Sequence, residues 1–206
     1  MEYIRLYTRQ HENSLYELER TGSIRNKSIY VRLHMGPDAD YFAERYRSFV
    51  EMAEERIPRP EGVEYPIWCA ISKDTARLPI KGEVLYCLRV PKDQVIFFDG
   101  QKWDYVLNYL YIPSDEADQS AFKKELQARG LPSAYNIIKG KYAGFYPDLE
   151  EKIRASWTRI FDIDEPSRFK VQANLWEIQE EWIETIIYPG EDLAQKTQEK
   201  LDAFGQ

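Results

Sequence analysis

Along the first half of the chain, segments in which every second residue is apolar are followed by segments in which apolar residues recur every three or four positions. Alternating apolar and polar positions predict strands, whereas apolar residues three or four positions apart predict helices. Pro, Gly and capping residues then indicate where each element begins and ends. The predicted elements are a strand at residues 3–8, a helix from Asn13 or Ser14 to Gly22, a strand at 28–33 and a helix from Pro37 to before Pro58.

The second half repeats both patterns, with turn residues between the elements. Asp99-Gly100 is typical of a turn that begins a helix, and Gly130 ends a later helix. The predicted strands are residues 65–72, 83–90, 94–98 and 168–177, and the predicted helices are one after Gly100 and those at 116–129, 148–161 and 191–204.

The order of these elements favours the α+β class. Strands and helices are mixed without the regular strand–helix alternation that is typical of a doubly wound parallel sheet. A chain of 206 residues is long enough for one domain with a substantial core. We therefore predict a single domain over residues 1–206, with a mostly antiparallel sheet and several packed helices.

The charge balance limits the classes of partner. The formal net charge is −7, and no dense run of Lys or Arg occurs. A wide nucleic-acid groove needs a basic face to neutralise phosphates, so nonspecific nucleic-acid binding is disfavoured. Aromatic residues make up 14% of the chain, including fifteen Tyr and five Trp. Tyr and Trp favour ligand walls and interfaces as well as cores, so a small-molecule or protein partner is compatible with this composition.

Cysteine and histidine usage gives no metal site. Cys69 and Cys87 lie in strand-like apolar runs, where buried free thiols are the usual outcome. A zinc site would need more ligands at close spacing than these and the two histidines, His11 and His34, supply. No apolar leader opens the chain, and no apolar stretch approaches about 20 residues. We therefore expect a cytoplasmic protein that does not span a membrane.

Two aromatic stretches, residues 103–111 and 171–177, mix large rings with single amide or carboxylate groups. A site for a flat, polar small molecule such as a nucleotide is built in this way, from apolar walls and a few placed polar groups. The rim of an aromatic core has the same composition, so both interpretations stay open.

Several motifs together resemble a known family. Their order and spacing are similar to those of the bacterial domain-of-unknown-function family numbered 3841, over nearly the whole chain. The resemblance implies a small soluble bacterial protein and brings no established reaction. The motifs are Tyr7-Thr8-x-Gln10, Tyr65-Pro66-Ile67-Trp68, Val90-Pro91 followed by Asp99 and Trp103, Ser156-Trp157-x-x-Ile160-Phe161-Asp162 and Gln172-Ala173-x-x-Trp176-Glu177.

A second resemblance, at the level of the fold, is to ADP-ribosyltransferases that act on DNA. Those enzymes begin with a strand whose polar residue holds NAD, followed by a short helix that ends near Gly. Here the first strand offers Tyr7 and Thr8, and the helix ends at Gly22. Their late strand carries Gln or Glu, one residue, and then a catalytic Glu. This chain has Gln172 and then Asn174, which cannot supply the charge that stabilises an oxocarbenium-like transition state.

The second resemblance implies a set of site residues with NAD as co-substrate and a macromolecule as acceptor of ADP-ribose. Glu177 is the nearest carboxylate to Asn174. In a regular strand Glu177 faces away from Gln172 and Asn174, although a bulge could redirect it. The implied catalytic residues are Glu177 and Gln172, and the implied cofactor-binding residues are Tyr7, Thr8, Trp103, Asn108 and Trp176.

Each of these assignments has a structural alternative. Trp103 lies on an apolar helical stripe, which favours core packing, and Asn108 either faces solvent or lines a pocket. A Glu177 at the end of an apolar strand face is either a perturbed site carboxylate or a solvated strand end. The alternative for the whole chain is a non-catalytic interaction protein that binds a partner through an aromatic surface.

Overall fold

Strand β1, Tyr3–His11, is formed by the N-terminal alternation and extends beyond the predicted six residues. In the computed structural model, which describes residues 2–29, 32 and 36–204, it pairs antiparallel with strand β4, Glu83–Pro91. The pairing holds along all of β1, from Tyr3 opposite Pro91 to His11 opposite Glu83. Leu6, Tyr7 and Thr8 of β1 are buried in succession, and so are residues 84–88 of β4. Since successive side chains of a strand point to opposite faces, both faces are covered at this point.

β1 and β4 belong to a larger sheet. Its other strands are β3 Ile67–Ala70, β5 Ile96–Asp99, β6 Val171–Leu175 and β8 Ile183–Ile187. Within the described residues, the six strands lie in the order β5-β6-β3-β1-β4-β8. The pairings of β1 with β3 and β4, of β3 with β6 and of β4 with β8 are antiparallel. The predicted α+β class with a mostly antiparallel sheet is therefore confirmed.

Both faces of the sheet are covered by apolar side chains. One face carries the larger cluster, in which Leu6, Tyr86 and Ala173 are completely buried. The other face carries a smaller cluster around Tyr7 and Cys87. A sheet with apolar residues on both faces must be covered on both sides, and this explains why β3, β4 and β5 are mostly apolar along their length.

Helix α1, Asn13–Thr21, follows β1 and ends at Gly22, as predicted. Gly22 has φ +71°, and its N–H donates to the carbonyl of Leu18. This left-handed conformation is one that glycine adopts without strain. The predicted cap was wrong in detail, because Glu12 occupies the N-cap position instead of Asn13 or Ser14.

Helix α2, Ala39–Glu54, is the predicted longer helix and follows a 3₁₀ turn at Gly36–Asp38. Its buried stripe includes Phe49, whose ring lies 5.1 Å from that of Trp68 on β3. The helix therefore packs its apolar face on the sheet, as an amphipathic helix is expected to do.

A small second sheet corrects two sequence predictions. It consists of β2, Ser23–Arg25, and β7, Glu177–Gln179, paired antiparallel. The strand predicted at residues 28–33 does not form at Ser28 and Ile29, which are helical, and of the remainder only Arg32 lies within the described residues. The strand predicted at 168–177 is interrupted by a bend at Trp176, which separates β6 from β7.

The chain divides into two compact units. The first comprises Met1–Phe97 and Ser167–Gln206 and holds the strands described above, apart from the last two residues of β5, together with the final helix α7, Leu193–Phe204. The second, Phe98–Pro166, is mostly helical. That residues 1–206 form a single domain stays a prediction. The helices of the second unit are α3 Gly100–Leu107, α4 Glu116–Ala128, α5 Ala134–Ile138 and α6 Pro147–Ser156, the last continued by a 3₁₀ turn at Trp157–Phe161.

Helix α3 begins where the Asp99-Gly100 turn predicted it. The carboxylate of Asp99 accepts hydrogen bonds from the backbone N–H groups of Gln101 and Lys102, which stabilises the first turn.

None of the helices in the described part of the chain has the length and apolar character needed to cross a membrane.

A polar network joins α4 to neighbouring segments of the second unit. Asp118 accepts hydrogen bonds from the backbone N–H of Ser114 at 2.9 Å, the hydroxyl of Tyr111 at 2.8 Å and the guanidinium of Arg159 at 2.9 Å. These donors, led by the Ser114 backbone, lower the pKa of Asp118 to about 2. The folded state therefore favours ionised Asp118 more than the unfolded state does, and this stabilises the unit.

Replacing Asp118 with Asn should lower the free energy of unfolding by about 1 to 2 kcal/mol at pH 7, with allowance for solvent screening at this partly exposed site. Because the folded pKa lies below the unfolded one, the stabilisation is complete above pH 5 or so and is lost as the pH falls through about 4 to 2. Urea unfolding of wild type and Asp118→Asn at pH 7 and near pH 2.5 measures this difference. Asp104→Asn, at an exposed side chain of α3, is the control. A gap that stays equal at both pH values would contradict the role given to the ionised carboxylate.

Candidate ligand-binding cleft

A cleft of about 680 Å³ lies in the first unit, along the line between β1 and β3. Its volume is within the range of small-molecule sites, about 300 to 1,000 Å³. The lining residues come from segments that are far apart in sequence, including β1, α2, β3, the loop after β3 and β6.

The cleft opens because β1 and β3 pair over a very short length. Their register is set by one pair, Tyr7 opposite Ala70, whereas β1 pairs with β4 along all nine of its residues. Next to that pair, the side-chain hydroxyl of Thr8 donates to the carbonyl of Trp68 at 2.8 Å. The amide of Gln10 donates in turn to the Thr8 hydroxyl at 2.8 Å. Side-chain hydrogen bonds thus connect the two strands beside the point where their ladder ends.

Residues of both sheet faces line the cleft as a consequence. Tyr7 and Thr8 are neighbours in a strand, so their side chains point to opposite faces, yet both border the same cavity. The cavity therefore runs through the gap between the strands and is not confined to one face.

Aromatic rings form one wall of the cleft. The rings of Tyr46 and Trp68 lie with their centroids 5.4 Å apart, and those of Tyr46 and Tyr65 lie 6.3 Å apart. All three side chains are half-buried. Phe169 also lines the cleft and is 69% exposed, so a large apolar ring stands at its mouth. Such a wall can hold a flat ring by stacking.

The charged residues of the cleft are mostly cationic. Arg9, Arg77 and Arg168 line it together with one carboxylate, Glu83. Three positive charges and one negative charge give a formal net charge of +2 with His11 neutral, within a chain whose net charge is −7. A cleft of this sign concentrates anionic ligands.

Two of the three arginines are already paired. Arg9 lies 3.2 Å from Glu83, and Arg168 lies 2.6 Å from Asp74. Arg77 is exposed and has no ion pair with any residue in the described part of the chain. Its guanidinium is therefore free to contact a ligand.

Thiol and metal chemistry find no support in this cleft. Cys69 borders it, but burial raises the pKa of its thiol to about 12, so the nucleophilic thiolate does not form near neutral pH. Over residues 2–29, 32 and 36–204, no three His, Cys, Asp or Glu side chains gather in a way that could hold a metal ion. His11 lines the cleft, and His34 lies outside the described residues.

Three of the predicted site residues meet in the cleft. Tyr7 and Thr8 reach it from β1, and Gln172 reaches it from β6. Tyr7 and Thr8 are buried, whereas Gln172 is exposed. The hydroxyl of Thr8 is engaged by Trp68 and Gln10, so its first role is to hold the strands.

Glu177 and Trp176 do not border the cleft. The bend at Trp176 passes the chain from β6 in the large sheet to β7 in the small sheet, so Glu177 does not share the apolar face of β6 as regular alternation predicted. Glu177 pairs with Arg25 at 2.7 Å and also accepts a hydrogen bond from Gln179. Trp176 is buried, and its indole N–H donates to the carbonyl of Ile57 at 2.8 Å.

The other two predicted residues lie in the second unit. Trp103 on α3 is buried, which fits the core-packing alternative. Asn108 follows α3 as its C-cap residue, and its exposed side-chain amide donates to the carbonyl of Asp104 at 2.8 Å. This hydrogen bond helps to cap the C-terminal end of α3.

Asn174 on β6 is a polar residue in a fully buried position. It lies opposite Trp68 in the β3–β6 register and is completely buried. Neither atom of its carboxamide has a hydrogen-bond partner within the described residues. A carboxylate at this position would lose its hydration as well, so a neutral amide is the less costly residue here.

Sequence patterns missed several residues of the cleft. Trp68 and Tyr65 belong to one of the motifs named above, but nothing in the sequence joined that motif to β1 or β6. Arg77 and Glu83 lie in and after a turn-rich stretch that carries no periodic signal. The tertiary structure brings both residues to the same cavity.

Comparison with known proteins identifies the family. A family model matches residues 5–184, which covers most of the chain. The chain belongs to the family described as Domain of unknown function (DUF3841). This confirms the first resemblance drawn from the motifs. A search of the curated proteins and a search of the solved structures each found no match.

Family membership extends over the cleft. The matched range includes β1 from its third residue onward, β3 and β6, and these strands supply many of the residues that line the cleft. The description of the DUF3841 family names no reaction, so the chemistry of the site is inferred from its residues.

Replacing Thr8 with Val should lower the free energy of unfolding by about 1 to 2 kcal/mol, since the isosteric change leaves the Trp68 carbonyl and the Gln10 amide without their buried partner. Chemical denaturation of both proteins measures the difference. Thr158→Val, at an exposed hydroxyl, is the control and should change stability by less than about 0.5 kcal/mol. Equal stability of the Thr8 variant and wild type would show that this hydroxyl does not hold β1 to β3.

Proposed function

We propose that this protein binds a phosphate-bearing nucleotide, with NAD as the leading candidate, in the cleft between β1 and β3. The observation that carries the proposal is that aromatic rings, the exposed carboxamide of Gln172 and three arginines line one cavity of about 680 Å³. A nucleotide combines a flat ring, hydroxyl groups and negative charge, and each has a matching group in this cleft.

The phosphates would lie against the arginines. Arg77 has no ion pair in the described part of the chain, and Arg168 shares its charge with Asp74 across an exposed pair. Guanidinium groups bind phosphate oxygens through paired N–H donors, so they suit a diphosphate better than an isolated ammonium would.

The base would lie against the aromatic wall. Trp68 and Tyr46 are half-buried and already packed against one another, which leaves a preorganised apolar surface. Rings fixed in this way lose little entropy when a ligand stacks on them. The exposed carboxamide of Gln172 supplies a donor and an acceptor at the same cavity.

The activity that we propose for this site is ADP-ribosyl transfer from NAD to a macromolecular acceptor. In support of this proposal, Tyr7, Thr8 and Gln172 all border the cleft. The reaction also needs a carboxylate near the ribose, where it stabilises the positive charge that develops in the transition state. Glu177, the carboxylate that the sequence suggested, is held by Arg25 in the small sheet.

A second candidate is a non-catalytic interaction protein. The observation that favours it is Phe169, which is 69% exposed at the mouth of the cleft, since a large exposed ring is typical of a surface that a partner covers. The two candidates differ in one respect that can be measured, because only the first requires affinity for NAD.

Isothermal titration of the full chain with NAD, at low and moderate salt, tests the proposal. We expect saturable binding that weakens as salt rises, because the exposed guanidinium of Arg77 is screened by ions. Absence of binding to NAD, with the protein folded, would overturn the proposal and favour the interaction protein.

Arg77→Gln should weaken NAD binding by about 3- to 10-fold, which corresponds to roughly 1 kcal/mol for an exposed charge–phosphate contact. The matched control is Arg20→Gln, an exposed arginine on α1 that does not line the cleft and has no ion pair in the described part of the chain. Titration of both variants against wild type gives the comparison. If the two variants bind NAD equally well, Arg77 does not contact the phosphates.

A further inference from the structure

Glu83, the first residue of β4, stands out among the charged groups of the cleft. It is the one carboxylate among the residues that line the cavity in the described part of the chain. Its side chain is 19% exposed, so it is largely shielded by protein yet open to the cavity. β4 is paired on both sides, with β1 and with β8, and this fixes the position of its backbone.

One oxygen of Glu83 is held and the other is free. Oε2 accepts a hydrogen bond from the backbone N–H of Ile80 at 3.1 Å and lies 3.2 Å from the guanidinium of Arg9. No residue in the described part of the chain donates a hydrogen bond to Oε1. A carboxylate anchored through one oxygen presents the other in a fixed direction, and electrostatic catalysis depends on such preorganised charge.

Glu177 has the opposite arrangement. Its Oε2 pairs with Arg25 at 2.7 Å, and its Oε1 accepts from the amide of Gln179. Both oxygens are thus engaged by side chains of the small sheet. A carboxylate with both oxygens occupied has little capacity left for a substrate.

We infer that Glu83 is the catalytic carboxylate of the cleft and stabilises the positive charge that develops on the ribose of a bound dinucleotide. The inference rests on the proposed function, since it takes NAD as the ligand, and it assigns to Glu83 the role that sequence resemblance gave to Glu177.

The chemical step balances without a further cofactor. The bond between ribose C1′ and the pyridine nitrogen breaks, and its electron pair stays on that nitrogen, so nicotinamide leaves as a neutral molecule. The positive charge develops at C1′ and the ring oxygen, opposite the free Oε1 of Glu83. A nucleophile, either water or a side chain or base of the acceptor, then bonds to C1′ and releases its proton to solvent.

The experiment measures two quantities on the same proteins: NAD affinity by titration, and nicotinamide release from NAD with and without cell lysate as acceptor. Glu83→Gln keeps the size of the side chain and the acceptor for Ile80. We expect it to bind NAD within about 3-fold of wild type and to release nicotinamide at least about 100-fold more slowly, the loss typical of removing one group that stabilises transition-state charge. Glu83→Asp, which keeps the charge but retracts it, should retain part of the activity.

The matched control is Glu184→Gln. Glu184 is another strand glutamate paired with an arginine, Arg5 at 2.8 Å, and it does not line this cleft. The Glu184→Gln protein should release nicotinamide at the wild-type rate. Circular dichroism of each variant verifies that loss of activity is not loss of fold.

The possible outcomes separate the inference from the function on which it rests. Slow release with retained binding in Glu83→Gln supports the inference. Wild-type release by Glu83→Gln overturns it, as does a selective loss in Glu177→Gln, which would return the role to Glu177. Wild-type protein that binds NAD but releases no nicotinamide overturns the inference and leaves the binding function standing. Wild-type protein that does not bind NAD overturns the proposed function itself.

Discussion

The short pairing between β1 and β3 is the constraint on which the rest of the first unit depends. Two strands that paired along their whole length would close the sheet, and the cleft would not exist. Here the ladder is limited to Tyr7 and Ala70, and the hydroxyl of Thr8 connects β1 to the carbonyl of Trp68 next to it. This side-chain hydrogen bond satisfies a part-buried backbone carbonyl of β3, and so the gap is compatible with a stable sheet.

The gap also decides the electrostatics of the site. Arginines from β1, from the loop after β3 and from the segment before β6 come to one cavity, although the chain as a whole is acidic. Net charge predicted that wide nucleic-acid surfaces are disfavoured, and a local cationic cleft is consistent with that prediction, because the potential in a cleft is governed by its own walls. A small anionic ligand needs only these few charges.

The bend at Trp176 shows how tertiary packing overrides a local pattern. Residues 168–175 alternate as one strand, and the alternation stops at Trp176, which the sequence prediction carried through to Glu177. The buried ring of Trp176 donates its N–H to the carbonyl of Ile57, a residue more than a hundred positions away, and the chain beyond it joins β2 in another sheet. Glu177 is thereby directed to Arg25 instead of the cleft. Conversely, Glu83 reaches the cleft through the register of β4, which no short motif reveals.

The sequence by itself determined the α+β class, the starts of most helices and strands, the end of α1 at Gly22 and the family, because these depend on periodicity, on caps and on motif order. It also pointed to Tyr7, Thr8 and Gln172, which do meet in one cavity. Only the tertiary structure decided which charged residues join them and which carboxylate has a free oxygen. Those outcomes depend on strand register and on contacts between segments far apart in the chain, and a one-residue change of register would turn every such side chain to the other face.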